Sequence, residues 1–267
     1  MIVDGKALAG DIKKDLKNKL AGRSLRLDVI LVGDNLASLK YVERKKKFGE
    51  EIGVEVIVHD LMGDMAQADL EEEIIKLVNE ERVNGIIVQL PLPVQIDAQK
   101  ILNLIPAEKD VDAFGSEAKV LPPTVGAIKE ILERNNVELE NKKIVVVGQG
   151  QLVGRPVAVW LTQEGREVEL VDINTKNPDA ILRGADVIIS GVGKPGLITP
   201  DKIKEGVVLI DAGTAESGGQ LVGDADPACA SKCLLFTPVP GGVGPLTVAM
   251  LFKNLLELNS QSSLFGL

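Results

Sequence analysis

The chain has 267 residues and a formal charge of -9, with 45% hydrophobic and 26% charged residues, which suits one large or two medium globular domains and excludes fibrous or disordered classes. An acidic chain with no basic stripe is a poor partner for nucleic acid, whose phosphates need clustered Lys and Arg. No stretch approaches the roughly 18 apolar residues of a membrane span.

Aromatic residues make up only 3% of the chain, so the core must come from Val, Ile, Leu and Ala, which favours α/β architecture. The first residues, MIVDGK, hold too short an apolar run for a signal peptide, and a cytoplasmic, reducing location is expected. Cys229 and Cys233, four apart with no His nearby, give no zinc pattern and read as idle thiols. No metal-ligand cluster is expected.

Runs rich in Val, Ile and Leu predict strands over 27–32, 54–60, 85–90, 143–148, 168–172, 187–190 and 207–211, and their lack of alternation suits strands covered on both faces of a parallel sheet. Helical patterns fall between them, over 38–52, 67–80, 125–134, 152–163 and 247–258. Pro106, Pro122 and Pro123 flank the polar stretch that best serves as a boundary. The expectation is two α/β domains with a cleft between them: residues 1–118 joined by the C-terminal segment 246–267, and a Rossmann-type dinucleotide-binding domain over 119–245.

The segment YVERKKKFGE, from Tyr41 to Glu50, contains the only tyrosine. At 100° per residue, Tyr41, Lys45, Phe48 and Ile52 share one face while Glu43, Lys47 and Glu50 share the other. Lys45 therefore lies in an apolar stripe. Desolvation, with Arg44 and Lys46 beside it, is expected to lower its pKa and make it a proton-transfer group; the alternative is a lysine that snorkels to water. The Tyr-Lys spacing also occurs in short-chain dehydrogenases, but there the glycine-rich loop precedes the pair and here it follows.

That loop, VVVGQGQLVGRP, follows a strand and opens a helix. Gly148 and Gly150 suit a tight turn near a pyrophosphate, with Gln149, Gln151 and Val153 beside them, and Gly154 suits close packing of helix on strand. The spacing is GxGxxxG, so an ordinary strand-to-helix turn is the competing reading. Asp172 ends the next strand, where a carboxylate accepts from an adenosine ribose and repels a 2′-phosphate, so NAD is expected over NADP; Asp172 as a turn cap is the alternative. VQLPLP (88–93) and TPVPGGVGPLT (237–247) follow strands and either wall a pocket or form structural turns.

Taken together, DGKALA, ASLKYVERKKK, GIIVQLPLP, KDVDAF, VVVGQGQLVGRP, ADVIISGVGKPG, GVVLIDAGT, GDAD and TPVPGGVGPLT resemble, in order, the methylenetetrahydrofolate dehydrogenase/cyclohydrolase family. The resemblance implies that Lys45 handles the proton or attacking water at the folate's bridging carbon. It further implies that Tyr41 packs on the folate rings, Gln89 holds Lys45, and Asp112 grips the pterin edge. Leu90, Pro91, Pro240, Gly241 and Gly242 would line the substrate pocket, and Gly191, Val192, Gly193 and Thr214 would join the cofactor site. A homodimer through the nucleotide domain is implied as well, with Arg44 near enough to steer an anionic tail.

Against the family pattern, Gln149 and Gly150 replace the Arg and Ser of GRS, Asp172 and Ile173 replace a His-Ser pair, Ala113 replaces the Gly of DVDGF, and the following loop is shortened. The first two changes remove partners for a 2′-phosphate. The expected activity is NAD-linked oxidation of 5,10-methylenetetrahydrofolate and hydrolysis of the methenyl product. Loss of one activity, or a folate- or nucleotide-binding module without turnover, are the alternatives.

Overall fold

The computed structural model describes residues 1–115 and 117–260. Ser116 and residues 261–267, which the sequence reading placed in the first domain and its C-terminal segment, lie outside the described residues.

In chain order the elements are α1 (Gly5–Leu20), β1 (Arg26–Val32), α2 (Leu36–Ile52), β2 (Glu55–Leu61), α3 (Gln67–Asn79), β3 (Gly85–Val88) and α4 (Ala98–Leu102). There follow α5 (Pro123–Arg134), β4 (Ile144–Val147), α6 (Gly154–Gln163), β5 (Val168–Val171), α7 (Pro178–Gly184) and β6 (Val187–Ser190). The chain continues through β7 (Val208–Asp211), β8 (Ala215–Ser217), β9 (Gln220–Val222), β10 (Leu235–Phe236) and α8 (Val243–Leu258). Among the described residues no helix is long and apolar enough to cross a membrane.

The chain divides into two compact units, one of Gly10–Pro123 with Val248 onward, the other of Met1–Ala9 with Thr124–Thr247. This shifts the expected domain limits at three places. Residues 1–9 belong with the second unit because Phe236 bonds both ways with the N-terminal stretch, Val3 N to Phe236 O and Phe236 N to Met1 O, each at 2.9 Å. The chain crosses after Pro123, at the start of α5, and after Thr247, one turn into α8.

The first unit has a parallel sheet in the order β2-β1-β3. β1 and β3 are buried along nearly their whole length, whereas edge strand β2 is half-exposed. Its core packs Ile30, Val32, Ile86 and Val88 against Leu70, Ile74 and Leu77 of α3. At the entry of β1 the fully buried Asp28 is compensated by a two-pronged contact from Arg26 and by His59 at 2.6 Å, as a charge removed from water requires.

The second unit has a parallel sheet in the order β10-β7-β6-β4-β5, with β8 and β9 as a separate antiparallel hairpin. Taking β4 as the first strand, the order is 2-1-3-4-5, the doubly wound arrangement whose ligand crevice opens between the first and third strands at their carboxyl ends. It differs from the 3-2-1-4-5-6 order of the dinucleotide fold that the glycine loop suggested. Val145, Val147, Ile188, Leu209 and Phe236 lead its core.

Candidate functional site

In the first unit, the Asn35 side chain caps α2 by accepting from Ser38 N at 3.0 Å, and Gly53 ends it with φ +82°. A non-glycine residue rarely adopts that angle. Between these caps Val42, Lys45, Phe48, Gly49 and Ile52 are buried and Tyr41 is half-buried. Lys45 is 8% exposed, so its ammonium does not snorkel to water.

Lys45 Nζ donates to Gln89 Oε1 at 3.1 Å. Gln89 stands at the carboxyl end of β3, fixed by its main-chain N–H to Ile30 O. Its Nε2 donates to Leu90 O at 2.8 Å, which turns the side-chain carbonyl towards the lysine. Ser38 Oγ reaches the same Leu90 carbonyl at 3.4 Å, so α2 is tied to the Gln-Leu-Pro turn at a second point, two turns before the lysine. The Leu90-Pro91 peptide is cis.

Burial pushes the Lys45 pKa down, and the charge of Asp112 opposes that shift. The Arg44 and Lys46 repulsion anticipated from sequence is not among the causes; both side chains are exposed, where water screens them. Asp112 responds in mirror image, raised by burial and opposed by Lys45. Each group thus meets a counter-charge that keeps it from being wholly foreign to the interior.

Asp112 is presented by a loop that Asp110 folds. Ile86 N donates to Lys109 O at 2.8 Å, laying the loop along β3, and the Asp110 carboxylate accepts from Ala113 N at 2.9 Å and Gly115 N at 2.8 Å. Burial raises the Asp110 pKa as well. Ala113 has φ +57°, a left-handed conformation. Asn254 of α8 holds the loop from outside, donating to Val111 O at 2.9 Å and Leu121 O at 2.8 Å. Tyr41, one turn before Lys45, has the Arg44 guanidinium 5.5 Å from its ring centroid.

Thus Tyr41, Lys45, Gln89, Leu90, Pro91 and Asp112 lie in one unit, and Pro240, Gly241 and Gly242 in the other. The latter turn, with a cis Val239-Pro240 peptide, receives the start of α1. Gly5 N donates to Gly241 O at 2.9 Å, and a methyl group on Gly5 would collide with the Gly242 carbonyl.

In the second unit, Gly148 (φ +91°) turns the chain out of β4, and a methyl on Gly154 would collide with the Gly148 carbonyl. This is the close approach of helix to strand expected of the third glycine. Val153 packs over Gly191, where a side chain would meet it. Gly148 to Gly154 follow β4, and Gly191 to Gly193 follow β6, so both glycine segments flank the crevice point of the strand order. Glycine at each leaves backbone exposed to an approaching ligand.

Asp172 leaves β5 with the turn-capping alternative realised. Its Oδ1 accepts from Asn174 N at 2.9 Å and Thr175 Oγ1 at 3.2 Å, forming a turn, while Oδ2 accepts from Gln149 Nε2 at 2.8 Å. Thr175 Oγ1 accepts in turn from Asp172 N at 2.9 Å. The carboxylate is pinned by the turn and still faces the glycine loop through Gln149.

Sequence reasoning missed Ser38, Asp110, Asn254, Asp211 and Asp224 as shaping residues. Asp211 and Asp224 are fully buried behind the β6 and β7 loops. Burial, with the neighbouring Asp224 charge, lifts the Asp211 pKa to about 6. The only available signal was an acidic residue inside a glycine-flanked turn, in GDAD and IDAGT, which is too common to single out.

The fold and these two clusters define a two-unit α/β protein with a buried lysine–carboxylate site and a glycine-lined nucleotide crevice. The family description "Tetrahydrofolate dehydrogenase/cyclohydrolase, catalytic domain" matches residues 3–112, and "Tetrahydrofolate dehydrogenase/cyclohydrolase, NAD(P)-binding domain" matches residues 122–263. The bifunctional protein FolD of Macrococcus caseolyticus is 42% identical over 271 residues, 96% of each chain. The solved FolD of Campylobacter jejuni superposes with a TM-score of 0.94 at 38% identity, covering 98% of this chain and 99% of that one. The Trypanosoma brucei FolD, complexed with NADP cofactor and inhibitor, gives 0.93 at 35% identity and 98% coverage of each. The chain belongs to the tetrahydrofolate dehydrogenase/cyclohydrolase family.

Proposed function

We propose that the protein oxidises 5,10-methylenetetrahydrofolate to the 5,10-methenyl form with NAD and hydrolyses that product to 10-formyltetrahydrofolate. The observation that carries this reading is the buried Lys45 bonded to Gln89, with the charge of Asp112 opposing the effect of burial. Water attacking a cationic methenyl carbon must lose a proton. A lysine whose pKa burial has lowered accepts it in neutral form, whereas a fixed ammonium would repel the substrate cation.

Gln89 holds the amine in place through its oriented carbonyl. As the new carbon–oxygen bond forms and one carbon–nitrogen bond breaks, Lys45 returns its proton to the departing nitrogen. Asp112 accepts from the amide and amino edge of the pterin, and Tyr41 covers the ring system, with Leu90 and Pro91 beside it.

The nucleotide, when bound, accepts the hydride removed from the bridging carbon. Gly148, Gln149, Gly150, Gln151, Val153 and Gly154 would hold its pyrophosphate at the α6 N-terminus, and Gly191, Val192, Gly193 and Thr214 its other half. Gly148, Gly154, Gly191 and Gly193 are required by internal packing, since a methyl on each would press on Val192, the Gly148 carbonyl, Val153 and the Thr214 carbonyl in turn, and the main-chain N–H groups of such a turn suit a pyrophosphate. Asp172 would take the adenosine ribose hydroxyls, and its charge disfavours a 2′-phosphate. NADP is the second reading, favoured by the bound cofactor of the trypanosomal relative.

The homodimer we infer through the nucleotide unit fits the open edge of β5, where Leu170 is half-exposed beside Val159 of α6. Initial rates of 5,10-methylenetetrahydrofolate oxidation with NAD and with NADP in parallel test the whole reading. Higher kcat/KM with NAD is expected. Preference for NADP would overturn the assignment of Asp172, and silence with both would overturn the dehydrogenase.

A further inference from the structure

Asp224 has no part in the reaction as outlined, yet it is completely buried and its carboxylate is spoken for by a single loop. Oδ2 accepts from Ser190 Oγ at 2.6 Å and from Val192 N at 2.8 Å, and Oδ1 accepts from Lys194 N at 2.7 Å. Those three donors span the turn that follows β6. That turn contains no helix or strand of its own, so side-chain ties must set its shape. Gly213 lies against the same carboxylate, and a methyl group there would collide with it.

A second carboxylate repeats the arrangement one strand over. Asp211 accepts from Gly213 N at 2.9 Å and Ala225 N at 2.8 Å, and Gly223 lies against it with no room for a side chain. The two aspartates therefore lace together the turns after β6 and β7 and the segment 223–225. Buried carboxylates that accept main-chain N–H groups fix backbone geometry strongly, because either partner left alone in the interior is costly.

The clamp has a specific result for the β6 turn. Gly191 N donates to Val147 O at 3.1 Å, and Val192 N and Lys194 N are drawn to Asp224. Among the described residues the Gly193 N–H, between those two, has no hydrogen-bond partner. Gly193 is only half-buried, with φ +77°, and a methyl group on it would press on the Thr214 carbonyl. The turn is thus locked with one free donor at the carboxyl end of the third strand of the doubly wound order, where such sheets bind their ligands.

We propose that Asp224 is a positioning residue for the dinucleotide: by clamping both amides around Gly193 it presents the Gly193 N–H, with the glycine-lined surface around it, to the bound cofactor. The proposal rests on the reading that the turn 191–193 faces the dinucleotide. Asp224 itself touches neither cofactor nor folate. In Asp224→Asn the NH2 group faces a main-chain N–H in either orientation, that of Val192 in one and of Lys194 in the other, so one backbone tie is lost while the volume is kept.

The experiment titrates NADH into the intact enzyme by its fluorescence and, separately, follows hydrolysis of 5,10-methenyltetrahydrofolate without nucleotide. Asp224→Asn is expected to weaken NADH binding at least tenfold and to raise the dinucleotide KM in parallel, with hydrolysis within twofold of wild type. Ser190→Ala, which removes one tie and spares the backbone clamp, is expected to weaken binding a few-fold and serves if Asp224→Asn does not fold. Leu182→Ala opens a cavity in the core of the same unit and controls for general loss of stability; it is expected to lower Tm with NADH affinity unchanged.

Unchanged NADH affinity in Asp224→Asn and Ser190→Ala, with weakened affinity in Gly193→Ala, would overturn the positioning role alone. Unchanged affinity in all three would overturn the placement of the turn at the cofactor as well. Equal weakening by Leu182→Ala would reduce Asp224 to ordinary stability and overturn the proposal.

Discussion

At the scale of single residues, two side chains occupy conditions their chemistry resists, and each yields a measurable outcome. Burial lowers the Lys45 pKa below its ordinary 10.5, so the neutral amine becomes available at lower pH than for a lysine in water. The rate of methenyl hydrolysis is therefore expected to rise with pH to a plateau whose midpoint lies below 10.5, because the charged form dominates on the acid side. Lys45→Met is expected to abolish hydrolysis and the pH limb together. A mutant with full hydrolysis, or a wild-type midpoint at the ordinary value, would contradict a lysine base.

Ala113 sits at φ +57°, where an L-residue costs roughly 1–2 kcal/mol relative to the right-handed region. Glycine removes that cost but gains freedom in the unfolded chain, about 0.4–1 kcal/mol against it. Ala113→Gly is accordingly expected to stabilise the protein by up to about 1.6 kcal/mol, the difference of those two ranges, seen as a higher urea midpoint at unchanged slope. A lower midpoint would mean that the alanine methyl, which is buried, contributes packing that outweighs its backbone conformation.

At the scale of elements, legibility in the sequence followed burial. β1, β3, β4, β6 and β7 are largely buried and appear as predominantly apolar runs, broken in β1 by Asp28, and the structure matches their expected limits within two residues. Edge strands β2 and β5 were found too, although they are only partly covered, because Val with Ile or Leu persists in them. β10 escaped notice: with two residues it has no period, and it owes its place to pairing with β7 and the N-terminal stretch. α1 was not read as a helix because Gly5 and Gly10 interrupt a strongly charged segment. Gly5 is required by its approach to the turn at Gly241 and Gly242, a tertiary fact with no local signature.

The same distinction governs the site. Lys45 was visible because a charge inside an apolar stripe breaks a period. Gln89 and Asp112 carry no such signal, being ordinary polar residues in loops, and only the resemblance marked them; the hydrogen bond from Lys45 to Gln89 and the influence of Asp112 on the lysine emerge from the fold. Asp224 was beyond sequence reasoning, since its partners, the Ser190 hydroxyl and two main-chain N–H groups, lie 30 to 34 residues away.

At the scale of the whole molecule, each unit has its own sheet and core, so local opening of one unit can be followed by a probe confined to it. Cys229 and Cys233 provide that probe. Both are free and lie in the core of the second unit, and burial first of all lifts their thiol pKa values to about 12 and about 11. Reaction with a disulfide reagent requires thiolate and access, so at neutral pH labelling is expected only when the unit opens. A ligand that binds only the closed form slows such labelling by the factor 1 + [L]/Kd. NAD at ten times its Kd is therefore expected to slow labelling about elevenfold, by the same relation. A folate substrate analogue held only by the Lys45 unit should leave that rate unchanged; fast labelling insensitive to NAD would show that the thiols are reached without opening the nucleotide unit, or that NAD does not bind there.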